Sequence, residues 1–265
     1  MKIPSRVIAL AVSVAATLLM PMQATSQGLG LDVSPAKLEV AIPAGQTYNV
    51  PITVRNSSGE MTHVQASMVD FGVDPSGGYQ FVKVGSRDHS LLRWGSIRPR
   101  EFDLPAGTSQ QVQLSIIVPN DSALSGEYAG IVFFQTRPVR RSGQSFAFSA
   151  RVASKIYETI PDTVKIDGVV AKMASTKGAK GQNYRVVFNN TGNAHVYLRG
   201  QVQVQKGGSV VDRIAMPDEM LVERGGTRTI EVNGKRLDPG TYQAIATVDY
   251  GGKTQTGGAI EFTVP

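Results

Sequence analysis

Apolar and polar residues alternate through most of the chain, and a sustained 3.6-residue period is nearly absent, which predicts strands rather than helices. Readable strands cover 37–42, 48–54, 63–69, 80–84, 111–118, 128–136 and 145–159, then 184–189, 196–204, 210–215, 227–232, 241–248 and 259–264. Glycine- and proline-rich turns punctuate them, among them PAGQ, DPSGG, LPAG, QKGG, DPG and YGG. Many short strands at this spacing predict an all-β chain of antiparallel sandwiches.

The pattern also repeats. VRNSSGEMTHVQ (54–65) and VFNNTGNAHVYL (187–198) share a strand-like start, an Asn, a Ser/Thr and Gly turn and a His-Val pair. Downstream, LPAGTSQQVQLSIIVP (104–119) and SGEYAGIVFF (125–134) are echoed by LVERGGTRTIEV (221–232) and PGTYQAIATV (239–248). Each half thus has a strand ending at an Asn-rich turn, a glycine turn before another strand, and Gly-x-Tyr opening a later one. Tyr128 and Tyr242 fit the tyrosine-corner position of an immunoglobulin-like sandwich. The echo predicts two Ig-like antiparallel β-sandwich domains, 27–160 and 161–265, joined near Ile160-Pro161-Asp162. The first carries about 20 more residues between its Asn turn and its Gly-x-Tyr strand, room for a hairpin around DPSGGYQFVKV. On this reading the His195 stretch is architectural, and the two repeat histidines, His63 and His195, lie far apart.

The first 26 residues have another logic. Lys2 and Arg6 precede an apolar run from Val7 to Met20, and Ala24, Thr25 and Ser26 follow. A run of about 14 apolar residues is short for a membrane span and fits a cleaved secretory signal peptide over 1–26. No other segment is long and apolar enough to cross a bilayer, so the expectation is a periplasmic protein with no stable membrane insertion. Cysteine is absent, which removes thiol catalysis and Cys-ligated metal and leaves each domain to its core. The Asn-x-Ser/Thr triplets at Asn56, Asn120 and Asn189 are then incidental.

The formal charge of +6 overstates the basic character, because Lys2 and Arg6 leave with the signal peptide. The remainder interleaves both signs, about +1 in the first half and +3 in the second, which argues against a nucleic-acid face. The compact basic group Arg137, Arg140 and Arg141 reads as a solvated loop. Catalytic signatures are missing as well. Asp70-Phe71-Gly72 stands without the other kinase motifs, and no nucleophile elbow, His-Glu-x-x-His or phosphate loop occurs. The expectation is a non-enzymatic protein with no catalytic residues, no metal site and no cofactor.

One stretch is more specific. SPAKLEVAIPAGQTYNVPITVRNSS (34–58), IRPREFDLPAGTSQQVQLSIIVP (97–119) and SFAFSARVASKIYETIP (145–161) resemble the first domain of the periplasmic pilus-assembly chaperones of the PapD-like superfamily. SGEYAGIVFF is more glycine-rich than the family's corresponding strand, and the second domain resembles only generic adhesion-type Ig-like modules. The resemblance implies that Lys37 and Lys155 meet in the cleft between the domains and bind a subunit's terminal carboxylate. It implies that Phe146, Phe148, Ala150 and Val152 form the strand-donor row inserted into the subunit's incomplete sandwich. The implied partners are an envelope or pilus subunit and an outer-membrane usher. A plainer reading leaves both lysines as solvent-facing strand residues and both phenylalanines as core. It goes with a structural adhesion-type module of the envelope that binds a protein or polysaccharide through its loops.

Overall fold

The computed structural model describes residues 30–138 and 145–265. The signal peptide expected over 1–26 and the pair Arg140 and Arg141 lie outside the described residues. Apart from a 3-10 turn at Leu91–Arg93, the regular elements are all strands, and no helix among the described residues is long and apolar enough to cross a membrane.

The first sandwich packs two sheets. One joins β1 (Leu31–Ser34), β3 (Thr47–Asn56), β8 (Ser109–Ile117) and β6 (Gly95–Arg98) in the order β1-β3-β8-β6. The other runs β2 (Lys37–Ala41), β10 (Arg151–Thr159), β9 (Glu127–Thr136), β4 (Thr62–Val73) and β5 (Tyr79–Val82), with β7 (Glu101–Leu104) paired to the start of β4. Between them lies a core of Val50, Ile52, Val54, Val112, Leu114, Ile116, Val132, Phe134 and Ile156. These are the alternate positions that the sequence pattern selects, because successive strand residues face opposite sides. All ladders here are antiparallel except β2 on β10, which is parallel.

The second sandwich sets β11 (Gly168–Lys177), β12 (Gln182–Asn190) and β16 (Thr227–Asn233) against β14 (Ser209–Ala215), β13 (Val196–Lys206), β17 (Gly240–Asp249) and β18 (Thr256–Val264). A short β15 (Met220–Val222) pairs with the start of β13. Tyr184, Val186, Phe188, Leu198, Val202, Val204, Ile230 and Ala246 fill its core. The protein is therefore all-β, with two Ig-like sandwiches in series.

The Asn echo has a structural basis. Asn56 and Asn190 each end a strand, are buried, and accept at Oδ1 the backbone N–H two residues on, from Ser58 and Gly192. Each also donates through Nδ2 to the carbonyl four residues on, Glu60 and Ala194, and to a neighbouring strand at Leu104 or Val222. One amide side chain thus satisfies polar groups that the turn would otherwise bury unpaired. The tyrosine corner forms in the second sandwich alone, where the Tyr242 hydroxyl donates to the Asp238 carbonyl at 2.7 Å. Tyr128 makes no such bond among the described residues; its ring packs 4.8 Å from Trp94.

Two departures from alternation have local causes. β9 is buried on both faces because Ala129, Ile131 and Phe133 on its outer side form a second apolar cluster with Phe71 and Tyr157. Its Gly130 is required, since a Cβ there would sit 2.5 Å from Leu92 Cγ of the 3-10 turn. The strand expected over 145–159 begins only at Arg151. Its partner β9 ends at Thr136, whose N–H donates to the Ala150 carbonyl. Arg137 then donates to His63 instead, and Pro138 has no N–H to extend the ladder.

Candidate functional site: paired lysines beside an open strand edge

The parallel register of β2 on β10 sets Lys37 opposite Lys155 and Glu39 opposite Tyr157. Cross-strand partners project to the same side of a sheet, so all four stand on one face. That face is the outer one. Ile156 enters the main core, while Tyr157 and Ala153 join the second apolar cluster.

Each ammonium has a tyrosine partner. Lys37 Nζ donates to the Tyr197 hydroxyl of β13 at 3.3 Å and lies 4.9 Å from that ring's centroid. Lys155 Nζ donates to the Tyr79 hydroxyl of β5 at 3.2 Å and lies 5.5 Å from its ring. A phenol oxygen that accepts a hydrogen bond still carries its own proton to donate. The cluster therefore offers two cations and two hydroxyl donors to an anion.

Lys37 also meets Glu39, at 2.8 Å. The hydrogen bond that Lys37 donates to Glu39 holds its pKa above the ordinary value against a small desolvation cost, with Tyr197 adding to the rise. The same bond to Lys37 pulls the Glu39 carboxyl below the usual range.

The other wall of the cleft comes from the second sandwich. His195 stacks on Tyr157 with centroids 4.2 Å apart and stands edge-on to Tyr197 at 5.1 Å. Its Nδ1 lies 2.5 Å from Glu127 Oε2, and its Nε2 is 3.6 Å from Glu39 Oε1. Further bonds cross the same junction: Glu127 N–H to the Asn193 carbonyl at 2.8 Å, and Arg224 to the carbonyls of Ser125 and Glu127. Gly126 permits the approach, because it takes a φ of 72° and a Cβ would lie 2.4 Å from the Asn193 oxygen. Farther along, Glu223 accepts from Val73 N–H at 2.9 Å and pairs with Arg87 at 3.4 Å. Burial nevertheless pushes the Glu223 carboxyl up, outweighing both.

The expectation that His195 is purely architectural is corrected here. It belongs to the repeated turn, yet its imidazole lines the cleft beside Lys37 and Glu39. His63 is remote from it, bonded to Asp103 at 2.7 Å within the first sandwich. His89 is neither; burial, with the charges of Arg87 and Arg224, lowers its pKa.

Upstream of Lys155 the even-numbered row changes environment. Val152 and Ala150 pack against the main core, whereas Phe148 is 37% and Phe146 55% exposed, their rings in contact at 4.7 Å. On the side away from β9, the β2 ladder begins only at Lys37 and Lys155. Among the described residues, Arg151, Val152 and Ala153 have no ladder partner there. The strand thus presents an open backbone edge at Arg151–Ala153, which lies in the chain between the exposed phenylalanines and Lys155.

Alternation exposes Glu39 to sequence reading, since it lies two residues beyond Lys37 on the same strand. Tyr79, Tyr197, Glu127 and His195 are brought in from other hairpins and from the second sandwich, and no sequence spacing links them to the lysines. Among the described residues, no three His, Asp or Glu side chains converge as a metal site.

No protein-family model matches the sequence, and no curated protein matches it. Among solved structures, the chain is similar to the class 5 fimbriae chaperone CfaA, at 14% identity over 89% of this chain and 100% of that one, with a TM-score of 0.49. It is similar to a chain of the complex of Salmonella enterica SafA pilin with the SafB chaperone, at 15% identity, 90% and 98% coverage and a TM-score of 0.46. The Pseudomonas aeruginosa CupB2 chaperone gives 15% identity, 86% and 97% coverage and a TM-score of 0.41. All three likenesses fall below a TM-score of 0.5.

Proposed function

We propose that the chain is a non-enzymatic, periplasmic, chaperone-like protein that binds pilus or other surface-assembly subunits by strand addition. Its working units are 27–160 and 161–265, delivered by the signal peptide at 1–26. The observation that carries this reading is the register of Lys37 against Lys155, at the end of the open edge at Arg151–Ala153, which the exposed Phe146 and Phe148 precede in the chain.

The chemistry follows from the parts. Two ammonium groups bind a terminal carboxylate by charge-assisted hydrogen bonds, roughly twice as strong as neutral ones. The Tyr79 and Tyr197 hydroxyls add donors of fixed position. The open edge of β10 pairs with an extended backbone whatever its sequence, and the alternate side chains select what fits. Phe146 and Phe148 would each gain about 1.5–3 kcal/mol on full burial in a partner's groove, less what their present partial cover already supplies. Ala150 and Val152 continue the row into this protein's own core, so the partner's sheet and this one share a continuous apolar layer. An outer-membrane usher is the further partner that this reading brings.

The adhesion-module reading requires 145–152 to be core. The exposure of Phe146 and Phe148 runs against it. The deciding experiment is recovery of envelope proteins on the wild type and on a Lys37→Ala/Lys155→Ala double variant. Loss of an exported subunit from the variant supports the proposal. Equal recovery of the same partners on both proteins sinks the lysine cleft.

A further inference from the structure

We infer that Glu39 is a built-in competitor for the carboxylate that Lys37 binds, and that His195 is the group that receives Glu39 when it is displaced. This inference rests on the reading of Lys37 and Lys155 as a carboxylate site and assigns that site its selectivity.

Residues two apart on a strand share a face, so a glutamate at 39 is bound to lie beside a lysine at 37. It does so at 2.8 Å, with both side chains partly open to solvent. The Glu39 carboxylate has the same chemistry as a chain terminus, and it sits on the ammonium such a terminus would use. Lys37 is therefore already paired, and an incoming carboxylate binds it only by exchange. Lys155 has no carboxylate within ion-pair distance among the described residues, and its ammonium is held by the neutral Tyr79 hydroxyl.

The exchange has a destination. The Oε1 atom that contacts Lys37 is also 3.6 Å from His195 Nε2. His195 is fixed there by Glu127 at Nδ1, by the Tyr157 ring beneath it and by Tyr197 at its edge. When Nε2 carries a proton, a small swing of Glu39 trades the ammonium for that N–H, while Lys37 keeps its bond to Tyr197.

An exposed ion pair is weak enough for this exchange. A ligand that brings only a carboxylate gains one charge contact and removes another, so its net gain at Lys37 is small. A chain terminus that also lays a strand along β10 has further binding energy to offset the exchange. Glu39 thus discriminates against small carboxylates in favour of termini attached to an extended segment, a selectivity obtained by weakening the wrong complex.

The test uses acetate as the probe, with acetamide as its neutral counterpart. Acetate replaces chloride at constant ionic strength, and the Lys37 and Lys155 side-chain resonances of the whole chain are followed by NMR. Acetate is expected to shift both lysines, and acetamide neither. Glu39→Gln should tighten acetate binding about three- to fivefold, the range an exposed ion pair sets. The gain should vanish in Glu39→Gln/Lys37→Met. If acetate moves neither lysine in any form, the carboxylate site itself is wrong. Where both lysines shift but Glu39→Gln binds no tighter, the site stands and the competitor role of Glu39 is overturned. A gain that persists without Lys37 overturns it equally, because a general charge effect would then suffice.

Discussion

The His195 imidazole meets the Glu127 carboxylate at 2.5 Å, and the contact joins the residue just before β13 of the second sandwich to β9 of the first. Both side chains are nearly buried, at 10% and 5% exposure. Glu127 also accepts from the His195 backbone N–H at 3.2 Å. Removing one partner of a buried, hydrogen-bonded pair leaves the other without compensation. His195→Ala is therefore expected to cost about 3 kcal/mol, read as a lowered thermal midpoint. A variant that melts with the wild type would show that this contact does not hold the junction.

Asn190 and Asn189 are neighbours with unequal roles. Asn190 is 2% exposed and donates to the carbonyls of Ala194, Val222 and Glu223, whereas Asn189 accepts one bond from the Thr227 hydroxyl. Asn190→Ala should lose about 2–3 kcal/mol by denaturant titration, since buried carbonyls lose their donor, and Asn189→Ala less than about 1 kcal/mol. Equal losses would contradict the bracing role assigned to Asn190.

Glu158 is fully buried, and neither carboxylate oxygen has a hydrogen-bond partner among the described residues. Burial, reinforced by the charge on Glu127, pushes its pKa up to about 8 from 4.5. The folded value lies above the unfolded one, so the protonated form is the one the fold accommodates. Its stability contribution is complete below pH 4.5 and is lost as pH rises through about 8. Glu158→Gln should flatten that slope and raise stability at alkaline pH by about 2–4 kcal/mol. Parallel pH–stability curves for variant and wild type would refute the assignment.

Phe146 and Phe134 separate binding from folding. Phe134 is fully buried, and Phe134→Ala should cost about 3–5 kcal/mol. Phe146→Ser/Phe148→Ser, at exposed positions, should change stability by less than about 1 kcal/mol while lowering recovery of subunits. A large loss of stability in that double variant would return the segment to the core and remove it from the binding surface.

Much of this architecture is written in one dimension. Val50, Ile52 and Val54, facing Val112, Leu114 and Ile116, follow the two-residue period that any half-buried strand must show. The Asn56 and Asn190 turns repeat because one side chain solves the same hydrogen-bonding problem twice. Four-residue strands such as β1, β6 and β7 are too short for a period to register. β11 is hidden differently: its ladder shifts register between Val170 and Lys172, which breaks the alternation. Tyr128 shows a position shared in sequence but not in role, since Trp94 occupies the space beside its ring.

By itself, then, the sequence determines two sandwiches, the faces their strands bury, and the adjacency of Lys37 to Glu39, because these follow from backbone geometry acting over neighbouring residues. Tertiary structure alone decides that Lys37 lies opposite Lys155, that Tyr79 and Tyr197 hold them, and that His195 turns from a turn-end residue into a wall of the cleft. The lysine–tyrosine contacts join residues 160 and 76 positions apart, and such contacts form only once sheet register and the packing of one sandwich on the other are set. The start of β10 at Arg151 is of the same kind. It depends on where β9 runs out of N–H groups, and not on the apolar row of β10 itself.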